Sequence, residues 1–357
     1  MSALLGALLL IIAGCGIGEV SHYEADQYPR KLSEWGLIQQ QGNTLVVNPS
    51  TTVYALNTAL FSDYAQKLRT IYIPQGQAAT YDPVNTFDFP VGSIITKTFF
   101  YPLNADQIVL TDASWSGDPR DIDIRKHRLV ETRLLVKQAD GWDALPYVWS
   151  GDDANLTLTG DLQQFVLDSG DTLNYLVPSK NQCASCHATN HTDGKLLPIG
   201  PKARHLNRAH PVNGMNQLDH WQSNGRLQHA LLPFPANAAI DDADASLAHR
   251  ARSYLDINCG HCHNPDGAAD TSGLLLDYAD HPRDKMGFCK PPIAAGSGSG
   301  GRLYSIVPGH ANQSILSFRL GTTKPAAMMP ELGRALTHSE GVTLINEWIN
   351  SLSGECL

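Results

Sequence analysis

The sequence predicts an α+β protein, with a mainly antiparallel β domain first and a mainly α domain after it. Two observations carry this. Between residues 43 and 180, short runs of β-branched, aromatic and aliphatic residues recur, bounded by Gly, Asp, Asn or Pro. Beyond residue 181 that signal stops, and apolar residues return at helical spacing in 246–258 and 337–352. The 357 residues suffice for two domains, and no internal repeat is present.

Taken in order, residues 1–14 form an apolar leader and 15–42 a tether with a short helix at 28–35. Strands are expected at 44–48, 51–56, 70–74, 92–101, 107–111, 130–137, 146–149, 156–159 and 173–177. One helix at 57–68 interrupts them, with Leu60, Tyr64 and Leu68 on one face. Strands at this density imply an antiparallel sheet, a sandwich or a partly closed barrel. Residues 181–245, rich in His, Asn, Pro and Gly, read as loops and short helices. The segment 246–357 then opens with a helix at 246–258, whose Leu247, Ala251, Tyr254 and Leu255 face a core. Loops fill 264–313, including the flexible run 296–301, and a short helix follows at 314–320. The last helix, 337–352, begins with the capping-box pattern Thr337-x-x-Glu340. Its Val342, Ile345, Ile349 and Leu352 form one stripe.

The most specific features are two Cys-x-x-Cys-His pentapeptides, Cys183–His187 and Cys259–His263. This pattern reads as covalent attachment of c-type haem. Each thiol can add to one porphyrin vinyl group. Two intervening residues let the loop span both vinyls, and the next residue brings an imidazole to the iron from the same side. Cys183, Cys186, Cys259 and Cys262 are thus the covalent anchors, with His187 and His263 the first axial ligands. Zinc is the competing reading, but ribbon-type zinc sites place their pairs about 15–20 residues apart, and these lie much farther apart. A thioredoxin-like redox pair would be expected beside a βαβ pattern, which is absent. The expected cofactors are two covalently bound haems c.

Of the seven cysteines, three remain. Cys289 and Cys356 would pair in an oxidising compartment, the alternative being two free buried thiols. Cys15 ends Ile12-Ala13-Gly14-Cys15 after the apolar run 4–12, which is too short for the roughly 20 residues of a membrane span. The formal net charge of −9 argues against a nucleic-acid partner, which would favour a basic face.

Four resemblances add to this reading. The first fifteen residues resemble a bacterial lipoprotein signal with its lipobox, which implies lipidation at Cys15 and a lipid anchor. They depart from it in having no Lys or Arg before the apolar stretch. The absence of Asp at position 16 resembles lipoproteins sent to the outer membrane. Residues 246–352 resemble a small class I cytochrome c domain, with a helix running into the attachment motif, a Met-bearing loop and a closing helix. That resemblance implies Met329, in Met328-Met329-Pro330, as the second axial ligand of haem 2, with Met328 the next choice. His281, His310 and His338 are alternatives. The β-rich half ending in a haem motif looks like the cytochrome c′-beta group and its hydroxylamine-oxidising relatives. Similar local features are Phe89-Pro90-Val91-Gly92, Gly141-Trp142 and Tyr147-Val148-Trp149. In that likeness haem 1 would be five-coordinate with an open apolar distal face. Lys97, sharing a strand face with Ile95, Phe99 and Tyr101, would be a snorkelling surface lysine rather than a haem-facing one.

Taken whole, the chain resembles bacterial di-haem c-type cytochromes with a β N-terminal half. The likeness rests on Asn181-Gln182-Cys183, Asn216-Gln217-Leu218, Cys289-Lys290-x-Pro292 and Ile306-Val307-Pro308-Gly309 besides the segments quoted above. It implies an envelope protein facing the periplasm and exchanging electrons with other redox proteins. Electron transfer is therefore the expected function. The alternative is a haem enzyme acting on peroxide, hydroxylamine or nitric oxide at haem 1, with haem 2 as relay; a haem-based sensor is a third. The sixth ligand of haem 1 decides among them, and Met215, His191, His205, His210, His220 and His229 are all in reach by sequence.

Overall fold

The structure, a computed structural model, describes residues 17–356. Cys15 and the leader lie outside the described residues. The chain is an α+β protein built on one six-stranded antiparallel sheet.

The first elements are a single 3₁₀ turn, Leu32–Trp35, and the hairpin β1 (Ile38–Gln41) and β2 (Thr44–Val47). There follow β3 (Thr51–Tyr54), β4 (Gln66–Tyr72), the two-residue β5 (Ala79–Thr80), β6 (Ile94–Pro102), β7 (His127–Lys137), β8 (Trp142–Ser150) and β9 (Asp153–Leu156). The large sheet has the order β3-β4-β6-β7-β8-β9. A second hairpin, β10 (Asp161–Val166) and β11 (Thr172–Val177), then leads into the helical half. Both faces of the central strands are covered, so β6 and β7 read as nearly continuous apolar and threonine runs rather than a clean alternation. One face packs Ile94, Leu134, Val136, Leu145 and Tyr147 against Leu32, Trp35 and the first hairpin. Threonine hydroxyls bond across it, Thr70 to Thr96 at 2.7 Å and Thr98 to Thr132 at 2.8 Å. Trp149 Nε1 donates to Thr132 at 2.9 Å. Each buried hydroxyl is thereby satisfied by its cross-strand neighbour.

The opposite face is covered by the segment after β11. It contains α1 (Lys180–His187), α2 (Ala203–Leu206), α3 (Gln217–Ser223) and β12 (Leu227–Gln228), which pairs in parallel with β5. Leu206, Leu218 and Trp221 pack there with Ile71, Ile95, Leu135 and Trp142, and Ile257 joins them from the next helix. That helix, α4 (Leu247–Asn258), is capped by Ser246, whose Oγ accepts from His249 N at 3.2 Å. It packs with α5 (Ile315–Gly321) and α6 (Ser339–Ser351) around Leu255, Leu316, Ile345 and Trp348. A Cβ at Gly341 would overlap the Tyr254 phenol, so glycine sets the approach of α6 to α4. The disulfide Cys289–Cys356 ties the tail beyond α6 to the loop before the glycine-rich run. Among the described residues no helix is long and apolar enough to cross a membrane.

Four expectations are corrected. Residues 57–68 are not a helix: Asp63 and Tyr64 take positive φ, and β4 begins at Gln66. The turn is held by long-range bonds, with the Asp63 carboxylate accepting from Ala335 N at 2.8 Å and Leu336 N at 2.7 Å. Leu60 and Leu68 enter different cores, so their spacing never described one face. Residues 107–111 form only isolated bridges at Val109. The capping box at Thr337 is absent, since α6 starts one residue later and Glu340 instead accepts from the Tyr64 hydroxyl at 3.0 Å. The helix expected at 28–35 shrinks to its last four residues.

The sheet-covering segment and α4 meet at a buried ion pair. Arg204 Nε reaches Asp256 Oδ2 at 2.6 Å and Nη2 reaches Oδ1 at 2.9 Å. Asn237 Nδ2 and Tyr278 N also donate to this carboxylate, at 3.0 and 3.2 Å. Burial alone would raise the Asp256 pKa. The hydrogen bonds from Arg204 and the charges of His205 and Arg204 outweigh it and hold the carboxyl far below its usual range. Because the folded pKa is depressed, the stabilisation is complete above about pH 4 and is lost as pH falls toward the folded value. Asp256→Asn, which leaves Arg204 buried without its counter-charge, should cost about 3–5 kcal/mol. Denaturant melts should also show a shallower acid limb for the variant than for the wild type.

Candidate haem-attachment site

Motif 1 occupies the end of α1. Ser179 and Gln182 form a reciprocal capping box, with Gln182 N donating to Ser179 Oγ at 3.3 Å and Ser179 N to Gln182 Oε1 at 2.9 Å. Cys183, Cys186 and His187 stand at i, i+3 and i+4, and so share one helix face. Motif 2 follows α4 directly, with Cys259 as the C-cap residue and both Cys262 N and His263 N donating to its carbonyl at 3.1 and 2.9 Å. Gly260 is required there, because a Cβ would sit 2.8 Å from Asp277 Cα.

The two histidines are held alike. His187 Nδ1 lies 2.8 Å from Leu197 O, and His263 Nδ1 lies 3.1 Å from Leu274 O. A carbonyl can only accept, so Nδ1 carries the proton in both, and Nε2 keeps its lone pair. This is the arrangement that orients an imidazole toward a metal. The backbone reinforces it, with Leu197 N bonded to His187 O and Leu276 N to His263 O, each at 2.8 Å. Burial, then the Lys97 charge, pushes His187 down to about 3, and burial likewise lowers His263. Both rings are therefore neutral near pH 7, the protonation state a ligand needs.

All four motif cysteines are free thiols, two buried and two half-buried. Burial raises Cys183 and Cys186, and pushes Cys259 and Cys262 up to about 12. Protonated, unpaired thiols are unlike the low-pKa thiolate of a thioredoxin-type centre. Among the described residues no three His, Cys, Asp or Glu side chains converge to hold a metal ion, so the zinc alternative lacks its ligand cluster. The donor set fits covalent haem instead, because each motif presents two thiols and one imidazole with a free Nε2.

The two motifs abut. Cys262 Sγ is 3.5 Å from Ser185 O, inside motif 1. His191 N and His191 Nδ1 both lie 2.9 Å from Asp266 O, stitching the loop after motif 1 to the loop after motif 2. Nothing in the sequence indicated this contact, since 71 residues lie between the motifs' facing ends, His187 and Cys259.

Met328 and Met329 are half-buried in the loop between α5 and α6. The loop is fixed by Arg334, whose guanidinium donates to Met329 O at 3.1 Å, Arg319 O at 3.0 Å and Thr322 O at 2.8 Å. It flanks motif 2, since the charges of Glu331 and Arg334 act on Cys262 and Cys259. The alternative histidines are engaged elsewhere or turned outward. His281 Nε2 contacts Asp277 at 2.5 Å; His338 stacks on Phe61 at 4.3 Å and bonds the Tyr254 hydroxyl; His310 is exposed.

Around motif 1 the expected ligands do not assemble. His205 lies 3.5 Å from Asp256, His210 accepts from Val212 N at 3.1 Å, and His220 packs beside His210. His229 and Met215 are exposed, and His191 is bound to the Asp266 carbonyl. None of them lines the cleft that holds Cys183 and His187. The sheet does, through Tyr54, Arg69, Lys97 and Arg133, with Ile95, Leu135 and Ile199 between them. Lys97 is thus not a snorkelling surface side chain. It faces the motif, and burial together with the Arg133 and Arg69 charges lowers it to about 7. The wall of the cleft at His187 thus carries cations besides its apolar residues. Sequence reading missed Arg69, Arg133 and Tyr54, although charges inside otherwise apolar strands were a usable signal. It also missed His261, which lies within motif 2, is 7% exposed and has an unpartnered Nδ1.

No family model, curated protein or solved structure matches the chain.

Proposed function

We propose that the chain is a di-haem c-type cytochrome that transfers electrons on the periplasmic side of a bacterial membrane. One observation carries the reading: in both motifs the histidine donates its Nδ1 proton to a backbone carbonyl, leaving Nε2 unprotonated in a motif whose two thiols are free. Cys183, Cys186 and His187 would hold haem 1, and Cys259, Cys262 and His263 would hold haem 2. When bound, each haem supplies a one-electron couple whose potential follows its axial ligands and burial. The chain's own part is positional. The contact between Cys262 and Ser185 brings the two attachment peptides together, which suits passage of electrons between the groups.

On this reading α4, the Met329 loop and α6 would act as a class I-like cytochrome c domain, and Met329 would be the second ligand of haem 2. Held by His263 and Met329, that group would supply outer-sphere electron transfer. The tether would anchor the protein through a lipid on Cys15, and its partners would be other redox proteins of the envelope. A second reading is favoured by the cleft at His187, whose polar wall is suited to chemistry on a small molecule at haem 1, with haem 2 as relay.

Expression with haem-maturation machinery should give an intact mass higher by two haems. The double variant Cys183→Ser/Cys186→Ser, and separately Cys259→Ser/Cys262→Ser, should each lose one haem and about half of the Soret absorbance. Retention of both haems in either variant would reject the assignment. Met329→Ala should abolish the methionine-ligation signature of one haem and lower its potential; an unchanged spectrum would remove Met329 from the iron.

A further inference from the structure

Three cations stand in one row across the sheet, on the face that looks at motif 1. Arg69 on β4 is directly opposite Lys97 on β6, which is directly opposite Arg133 on β7. Like charges at directly opposed positions work against strand pairing. Burying a charge without a partner is costlier still. Such a row persists only where something offsets it.

Protein groups offset one of the three. Arg133 makes a two-pronged pair with Glu131, Nε at 2.8 Å and Nη2 at 2.5 Å. Glu131 is fully buried and also accepts from the Tyr175 hydroxyl at 2.7 Å, so it is fully engaged. Arg69 and Lys97 have no such partner. Arg69 is 8% exposed, and its guanidinium donates only to Lys67 O, at 3.3 Å. Among the described residues neither Arg69 nor Lys97 lies within ion-pair distance of a carboxylate. Lys97 Nζ sits 5.1 Å from the Phe99 ring centroid, and Arg133 stacks on the same ring at 4.5 Å. Ring stacking orients these cations but cancels none of their charge. The cleft therefore carries the Arg69 charge and the Lys97 amine, neither matched by a carboxylate, on walls otherwise built from Ile95, Leu135 and Ile199, with Cys183 and His187 in its lining.

We propose that this cleft is an anion-binding site in which Arg69 and Lys97 recognise a carboxylate or a comparably small oxyanion. The inference rests on the reading that haem 1 is attached at Cys183 and Cys186. Two sources share this chemistry. One is the propionate pair of haem 1 itself, whose carboxylates would give Arg69 and Lys97 the counter-charge that the protein does not. The other is a diffusible anion drawn to the haem from solution. Arg69 supplies a planar donor pair suited to two oxygens, and Lys97 a single mobile donor.

The test uses the two-haem protein, with azide as the anionic probe and imidazole as the neutral one. A haem 1 spectrum that responds saturably to azide identifies the diffusible source, provided Arg69→Gln and Lys97→Gln each weaken azide by about tenfold. Imidazole binding should then be unchanged and Lys97→Arg should restore azide. If azide has no effect, but the same Gln variants shift the propionate bands of haem 1 in resonance Raman spectra and lower its potential, the propionates are the bound anion. Arg69→Lys and Lys97→Arg should then keep the wild-type potential. Two haems present, with no azide response and no change in bands or potential, would overturn the inference. So would equal weakening of azide and imidazole. A protein lacking haem at motif 1 would instead defeat the functional reading on which the inference rests.

Discussion

Asp256 is the constraint around which the two halves of this molecule are arranged. It lies on the last turn of α4, three residues before Cys259, and its two oxygens take donors from Arg204, Asn237 and Tyr278. Arg204 belongs to the segment that covers the sheet, and Tyr278 to the loop that follows motif 2. One carboxylate thus fixes the helix that delivers motif 2 against the segment that follows motif 1. A bidentate Arg–carboxylate pair is directional as well as strong, so it sets orientation and not merely proximity. The sulfur contact between Cys262 and Ser185 follows, six residues beyond Asp256 along the chain.

The sheet answers to different demands on its two faces. On one, threonine pairs and the Trp149 indole satisfy one another, and the face is sealed under Trp35 and the first hairpin. On the other, aligned cations are retained in a layer that could have been apolar throughout. Replacing buried charges by apolar groups of similar size commonly costs nothing or stabilises. A row of one buried and two half-buried cations is thus better understood as a feature kept for a ligand than as one kept for the fold. Glu131 shows how the fold treats a charge it needs for itself, with two Arg133 nitrogens and a tyrosine hydroxyl closing around it.

Much of this architecture was legible in the sequence where local signals and tertiary structure agree. The strands around β6, β7 and β8 follow from β-branched and aromatic runs, and α4 follows from Ser246 and its apolar stripe. The disulfide followed from counting cysteines. The errors fall where distant partners decide local conformation. The turn at Asp63 exists because Ala335 and Leu336, some 270 residues on, donate to its carboxylate. Glu340 leaves its expected cap because Tyr64 takes it. Polar strands such as β1, Ile38-Gln-Gln-Gln41, carry too little alternation to be seen. For the site, the motifs named their own cysteines and histidines, but the residues lining the cleft with His187 come from separate strands of the sheet. Only cross-strand register could bring Arg69, Lys97 and Arg133 into one row.

In the proposed cytochrome, these features form one sequence of dependence. The Asp256 pair places motif 2 beside motif 1, the backbone carbonyls of Leu197 and Leu274 orient the two imidazoles, and the cation row lines the cleft at His187. Adjacency of the two groups is the central consequence, and electron paramagnetic resonance of the fully oxidised protein reads it directly. Haems attached to abutting motifs should show ferric signals broadened or split by interaction between the two irons. Removal of either attachment pair should leave one sharp, uncoupled signal. Two fully independent ferric signals in the intact protein would contradict it.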